Sequence, residues 1–342
     1  MNIVKVTKQN LKQYMENYDI MVCLLRPSRN KAKQLAILEM SVILSAVDGT
    51  FIANGPLGDV KGLISFFIKK DKDDELKTLL KTTGYCNKFY KLDFSLQGLN
   101  FTEEIKSIND YTWKGLKFNV IPFYEQSDEE YKEQCIENRL FAIYKSDKSV
   151  KYVKGYRGDG SESGRRGLPL EDARLMVNIA NPNSIRSLLD PFAGSGGILY
   201  AARCIQSSLF LVSIDVDKTL EPGLKMYSDA HYSCDACKVD IVERPIDAIV
   251  TEIPFSPNFT STVIKAFYHL KDVLSENGKI LCMSHVDQFP QIKEALQDMN
   301  FYILIFREVN RKGTPVVISF WTKNKAYYEN TKEYFDMLQF IK

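Results

Sequence analysis

Two rhythms of apolar residues alternate along residues 168–325. Nearly continuous apolar runs, IRSLLDPF (185–192), LFLVSIDVD (209–217), DAIVTEIPF (247–255) and GKILCMSH (278–285), predict strands buried on both faces. Between them lie stretches with helical spacing: GGILYAARCI (196–205), a segment near Leu220–Asp229, TSTVIKAFYHLKDVL (260–274) and FPQIKEALQDM (289–299). LPLEDARLMVNIAN (168–181) leads in as an amphipathic helix, with Glu171 and Asp172 near its start where negative charge favours the helix dipole. FYILIFREV (301–309) and TPVVISFWT (314–322) supply two closing strands. The alternation predicts an α/β, Rossmann-like domain built on a mostly parallel, doubly wound sheet.

The first 150 residues read as a smaller mixed α/β domain. MVCLLRP (21–27) predicts a strand, and Asn30–Ala46 a helix with Leu35, Leu38, Val42 and Ala46 on one face, ended by Asp48-Gly49. A strand over 62–70 and a helix over 73–84 follow. KFYKLDFSL and LKFNVIPFY are extended, their Tyr and Phe residues serving as core rather than as base-stacking platforms. RLFAIYKSDKSVKYVKGY (139–156) predicts two strands joined by a turn at Ser146-Asp147. RGDGSESGRRG (157–167) has no apolar residue and marks a hinge. The expected organisation is therefore 1–150, a loop over 151–167, the Rossmann-like domain over 168–325, and a helical tail over 326–342 in which Leu338 and Phe340 suggest burial.

Composition changes this picture little. Apolar content of 45% and charged content of 26% are those of a globular protein, and a net charge of +2 neither demands nor excludes nucleic acid. The seven cysteines are scattered and odd in number, the N-terminal segment lacks a signal-peptide core, and no apolar run reaches the length of a membrane span. A cytoplasmic protein with reduced thiols, away from membranes, is expected. Cys234 and Cys237 form a single C-x-x-C pair, and His231 and His285 complete no metal pattern, so no metal is expected.

The strongest chemical signal is LLDPFAGSGGILYAA (188–202): an apolar strand, Asp190, then Gly194-x-Gly196-Gly197 opening a helix. Glycines admit positive φ and close approach of a ligand, and the helix N-terminus can take a carboxylate. The spacing is not that of a dinucleotide fingerprint. A carboxylate heading the loop would repel a pyrophosphate, but it suits the ammonium and sulfonium of S-adenosylmethionine. Asp215 ends the next strand about 20 residues on, as expected for an acid on ribose hydroxyls, with Asp217 as the alternative. Asp235, after a further short strand, is placed to accept from an adenine amino group.

The strand Asp247–Thr251 runs into Glu252-Ile253-Pro254-Phe255. Amino-methyltransferases acting on bases carry a short loop here, an acid or amide followed by Pro, Pro and an aromatic residue. An exocyclic amine is a poor nucleophile, because its lone pair is delocalised. A side-chain oxygen and a backbone carbonyl must hold its N–H groups, while the aromatic ring stacks on the extruded base.

Taken together, RRGLPLEDARLMVNIANPNSIRSLLDPFAGSGGILYAA (165–202), Ile214–Asp217, Cys234–Ala236 and Asp247–Thr251 resemble the tRNA guanosine-10 N2-methyltransferases that carry an N-terminal THUMP domain. The resemblance covers residues 139–325, with a fainter echo in LLRPSRNKAKQLAILE (24–39). It implies an enzyme using S-adenosylmethionine to methylate the exocyclic N2 of a guanosine in RNA, with tRNA as substrate, an RNA-binding N-terminal domain, and room for a small activator subunit. Asp190, Phe192, Gly194 and Gly196 would then line the methionine end, Asp215 the ribose and Asp235 the adenine. Glu252, Pro254 and Phe255 would form the catalytic clamp.

The chain departs from that family at the clamp. Glu252 replaces Asp and moves the carboxylate by roughly 1.5 Å. Ile253 replaces a Pro, and Ser256 a Gly. Activity is expected to be retained with altered geometry, reduced, or lost. Arg165 and Arg166 in the hinge are the favoured RNA contacts, with Arg174, Lys145, Lys148, Lys151 and Lys154 as further basic candidates. Two other readings stand beside the first: an adenine or cytosine amino-methyltransferase on DNA or RNA, and a catalytically impaired RNA-binding or scaffold protein.

Overall fold

Strand and helix alternate through most of the chain, and their contacts divide it into two units. The computed structural model describes residues 3–53, 55–57, 62–94, 112–113, 116–135, 140–154, 167–181, 183–240, 245–311 and 313–339. Unit one is Met1–Ser127 with Asp336–Lys342, and unit two is Asp128–Phe335.

Unit one contains β1 (Ile3–Lys5), α1 (Lys8–Asn17), β2 (Tyr18–Leu25), α2 (Lys33–Ser45), β3 (Thr50–Ala53), β4 (Leu63–Lys69), α3 (Asp73–Leu80), β5 (Cys86–Asp93), a short ladder of β6 (Thr112–Trp113) with β7 (Leu116–Lys117), and β8 (Asn119–Glu125). Six strands form one mixed sheet in the order β1-β3-β4-β2-β5-β8. The apolar helix α2 is buried along most of its length, as its lack of a polar face requires. Glu39 within it is fully buried, and its carboxylate accepts from the Gly84 and Tyr85 amides at 2.6 and 3.0 Å.

Unit two begins with α4 (Asp128–Gln134) and a hairpin of β9 (Leu140–Tyr144) and β10 (Val150–Lys154). There follow α5 (Leu170–Ala180), β11 (Ser187–Asp190), α6 (Gly197–Ile205), β12 (Phe210–Ile214), α7 (Glu221–Leu224), β13 (Ala230–Tyr232), β14 (Ile246–Glu252), α8 (Thr260–Leu270), β15 (Leu274–His285), α9 (Phe289–Asp298), β16 (Tyr302–Arg311), β17 (Thr314–Thr322) and α10 (Lys325–Gln339), whose last residues, from Asp336, are counted in unit one. The sheet order is β13-β12-β11-β14-β15-β17-β16. The first five strands are parallel, and β17 lies antiparallel between β15 and β16. This is the Rossmann-like, mostly parallel arrangement expected from the alternation. Leu189, Val212, Ile249, Phe267, Leu296 and Trp321 lie in the core of this unit.

Some boundaries differ from the sequence reading. The division by contacts falls before the β9–β10 hairpin, although composition breaks after it. Phe141 of β9 is buried against Gly223, where an added Cβ would lie 2.3 Å from the ring, and this fastens the hairpin to unit two. The helix expected near Leu220–Asp229 is a 3-10 turn (Lys218–Leu220) and the single turn α7. Gly223 weakens it, and the Asp229 carboxylate pulls the chain back to the sheet by accepting from Leu211 N at 2.7 Å. Helix α8 stops at Leu270, and Leu274 already belongs to β15, because Ile246 N donates to Val273 O at 2.9 Å. No described helix is long and apolar enough to cross a membrane.

Candidate active site

The strand order reverses at β11, with β12 on one side and β14 on the other, which opens a crevice at their C-terminal ends. Asp190 closes β11 and is 2% exposed. Its Oδ1 accepts from Thr251 Oγ1 at 2.7 Å and from Phe192 N at 3.3 Å. Burial pushes this carboxyl up to about 7; the two hydrogen bonds oppose that rise, and the nearby Asp215 charge adds to it. No cation among the described residues offsets it. An acid in this state is favoured in its charged form by a cationic ligand.

The turn after Asp190 needs its glycines. Gly194 and Gly196 have φ of 52° and 72°, a left-handed conformation costly for other residues. A Cβ on Gly196 would also meet Leu224 and Tyr227 at 3.3 Å. Half-buried Phe192 packs against the core beside the turn. Helix α6 then starts at Gly197, and its first amides have no partner within the helix.

Because β13, β12 and β11 are neighbours, Asp190 at the end of β11, Asp215 after β12 and Asp235 beyond β13 lie at three adjacent strand ends. Asp215 Oδ2 accepts from Gly194 N and Oδ1 from Asp217 N, each at 2.8 Å, so this carboxylate braces the glycine turn. Asp217 caps the 3-10 turn through Thr219 N (3.0 Å) and Oγ1 (2.6 Å), which gives it a local structural task. Asp235 Oδ1 accepts from Cys237 N at 2.9 Å, and that amide holds its carboxyl below the ordinary range. Burial pushes the Cys237 thiol up to about 11, and its S–H donates to Thr262 O at 3.4 Å.

Glu252 is the last residue of β14, one residue after the Thr251 that binds Asp190. Glu252 and Asp190 are thus set by adjacent strands. Ile253 is 1% exposed and belongs to the core, and its N–H donates to Met283 O at 3.0 Å. Both uses are closed to proline, or served less well by it, which accounts for Ile here. The loop beyond is held by Gln288, a buried amide that the sequence reading did not single out. Its Nε2 donates to Pro254 O (3.0 Å), Ser256 O (3.1 Å) and Thr260 Oγ1 (3.2 Å), and its Oε1 accepts from His285 N (3.2 Å).

Arg311 was also missed. Its Nη1 is ion-paired with Glu252 Oε1, its Nη2 donates to Gly167 O at 3.0 Å, and its guanidinium carbon lies 5.7 Å from the centroid of Phe255. The two side chains are only 11% and 20% exposed, for Arg311 and Glu252 respectively. In the sequence Arg311 sits in a polar turn, NRKG, where a solvated residue is the ordinary reading. The structure thus brings together Asp190, Phe192, Gly194, Gly196 and Asp215 around one turn, and Glu252, Pro254 and Phe255 in one loop. Arg165 and Arg166 lie outside the described residues.

Neither a family model nor a curated protein matches the chain. Among solved structures it is similar to TrmN from Thermus thermophilus, with 13% identity, 89% of this chain and 99% of that chain covered, and a TM-score of 0.47. It is also similar to the N-methyltransferase NodS from Bradyrhizobium japonicum in complex with S-adenosyl-L-homocysteine (12%, 49% and 91%, 0.38). An rRNA methylase from Streptococcus thermophilus is a third (13%, 47% and 99%, 0.36). Likeness at this level concerns the fold alone, and the chemistry has to be read from the residues.

Proposed function

We propose that this chain transfers a methyl group from S-adenosylmethionine to the exocyclic N2 of a guanosine in RNA, with tRNA as the substrate. The observation that carries the reading is the pairing of Glu252 and Arg311 at the end of the strand next to Asp190. The Watson–Crick edge of guanine presents two neighbouring donors, N2–H and N1–H, and then the O6 acceptor. A carboxylate beside a guanidinium matches that order of donors and acceptors. Adenine and cytosine place a ring-nitrogen acceptor next to the amine, and a carboxylate there repels it.

The cofactor reading rests on the elevated Asp190 carboxyl and the left-handed glycine turn. Asp190 would hold the ammonium and sulfonium end, α6 amides the carboxylate, Asp215 the ribose and Asp235 the adenine. When bound, S-adenosylmethionine supplies an electrophilic methyl group on its sulfonium. Glu252 and the Ile253 carbonyl would accept the N–H groups of the target amine and aim its lone pair. Phe255 would stack on the base. Glu252 remains a hydrogen-bond acceptor while Arg311 holds one of its oxygens. An RNA-binding role for unit one rests on the family resemblance.

The same ion pair supports a second reading, in which Arg311 ties down Glu252 and the fold binds cofactor and RNA without transfer. Methyl transfer from labelled S-adenosylmethionine to undermodified total tRNA, with duplex DNA in parallel and nucleoside analysis, separates the two. Label in N2-methylguanosine is the expected result. Label confined to DNA or to another base overturns the guanosine reading, and cofactor binding with no label on any substrate supports the second.

A further inference from the structure

The β9–β10 hairpin carries basic residues that the site chemistry leaves unused. Its turn holds Lys145 and Lys148, both exposed, and neither forms an ion pair with a described residue. Lys151 on β10 is exposed as well, on the face of the strand opposite Tyr152. The sole acid of the turn, Asp147, is engaged locally: its Oδ1 accepts from Ser149 N at 2.9 Å and from Ser149 Oγ at 2.6 Å, and these bonds hold its carboxyl below the ordinary range. Lys145 N donates to Ser149 O (2.8 Å) and Lys148 N to Lys145 O (3.0 Å), so the turn presents its lysines from a closed backbone.

Beside them Tyr152 is 61% exposed. Its cross-strand partner is Ala142, too small to cover the ring. Val150, two residues earlier on the same face of β10, is also exposed. No described strand pairs with the outer edge of β10. A large aromatic side chain left open on a hairpin that also exposes lysines is unusual for a surface that serves only solvation.

The position matters as much as the chemistry. Phe141 on β9 packs under Gly223 of α7, the turn that comes after Asp215, Asp217 and the Lys218–Leu220 3-10 turn. The hairpin is therefore fastened to the segment flanking the methyl-donor side of the crevice.

We infer that this hairpin is a docking arm for the RNA strand that carries the target nucleotide, with Lys145, Lys148 and Lys151 on phosphates and Tyr152 stacked on an unpaired base. The inference rests on the RNA reading above. Positive charge gives affinity and steering, and an aromatic face takes any base without reading its sequence. Placed at the cofactor edge, the arm would hold the strand on one side of the extruded nucleotide.

The test is binding of fluorescently labelled, undermodified total tRNA to the full chain, followed by anisotropy from 50 to 200 mM KCl. Combined Lys145→Glu, Lys148→Glu and Lys151→Glu is expected to weaken binding at least tenfold at the upper salt. It should also make the slope of log affinity against log salt shallower by about 2. Tyr152→Ala is expected to cost about tenfold, and Tyr152→Phe little. Binding of S-adenosylhomocysteine should be unchanged in every variant, which shows that the fold is intact. A triple variant with wild-type affinity and slope overturns the inference and leaves the RNA reading standing. So does an equal loss from the same reversal at exposed Lys265, Lys325 and Lys332. Wild-type protein that fails to bind tRNA at all overturns both.

Discussion

Arg311, at the end of β16, holds the carboxylate of Glu252, at the end of β14, in an ion pair that is mostly shielded from water. Removing one partner strands the other in a poorly solvated place. Arg311→Met is expected to lower stability by about 2 kcal/mol, between the values for exposed and fully buried pairs because both groups retain some exposure. The double variant Arg311→Met with Glu252→Gln should recover part of that loss. Chemical denaturation of the four proteins gives the coupling directly, and strict additivity would mean that the pair contributes nothing.

Glu252→Ala should leave S-adenosylhomocysteine affinity nearly unchanged and abolish transfer to RNA. Full transfer by this variant would show that the clamp has been assigned to the wrong loop. Restoring Asp and Pro, as Glu252→Asp with Ile253→Pro, is expected to lower activity and stability together. Proline has no N–H for Met283 O and removes a buried side chain from the core, and the shorter acid draws away from Arg311. A gain in kcat would contradict this.

Cofactor affinity should depend on pH through Asp190. The folded carboxyl titrates near 7, because burial raises it from 3.8. Between about pH 4 and pH 7 the native state therefore keeps a proton that the unfolded chain has released, and this group's contribution to stability falls as pH rises through that window. A cationic ligand selects the ionised form. Affinity should thus rise about tenfold per unit from pH 5.5 towards 7 and then level off. Calorimetry over pH 5.5–8.5 tests this. Asp190→Ala should abolish binding, and a flat profile in the wild type would remove Asp190 from the site.

Gln288→Leu removes the donor shared by Pro254, Ser256 and Thr260. It should reduce kcat by about one to two orders of magnitude through misplacement of the loop, with cofactor affinity unchanged. Parallel losses in kcat and cofactor affinity would instead indicate a general collapse of the fold.

The fold of unit two was legible because buried parallel strands and covering helices impose different apolar periods, and the glycine turn was legible because only glycine serves at φ of 52° and 72°. Arg311 and Gln288 were not. Nothing in a local window distinguishes an arginine in a polar turn from one brought back across the sheet by an antiparallel strand. A glutamine at a helix start likewise looks like any capping residue. The one-turn α7 was overread for the same reason: a helical window does not show that the Asp229 carboxylate binds Leu211 N and draws the chain back to the sheet.

The antiparallel placement of β17 has a consequence for the growing chain. A polypeptide emerging N-terminus first completes β11 to β14, with Asp190, the glycine turn and Glu252, well before Arg311 is made. Until the final hairpin closes against β15, Glu252 has a free carboxylate and no guanidinium beside it. On the proposed reading, the contact that would select a base is completed only after β16 has been made, whereas the glycine turn can form earlier.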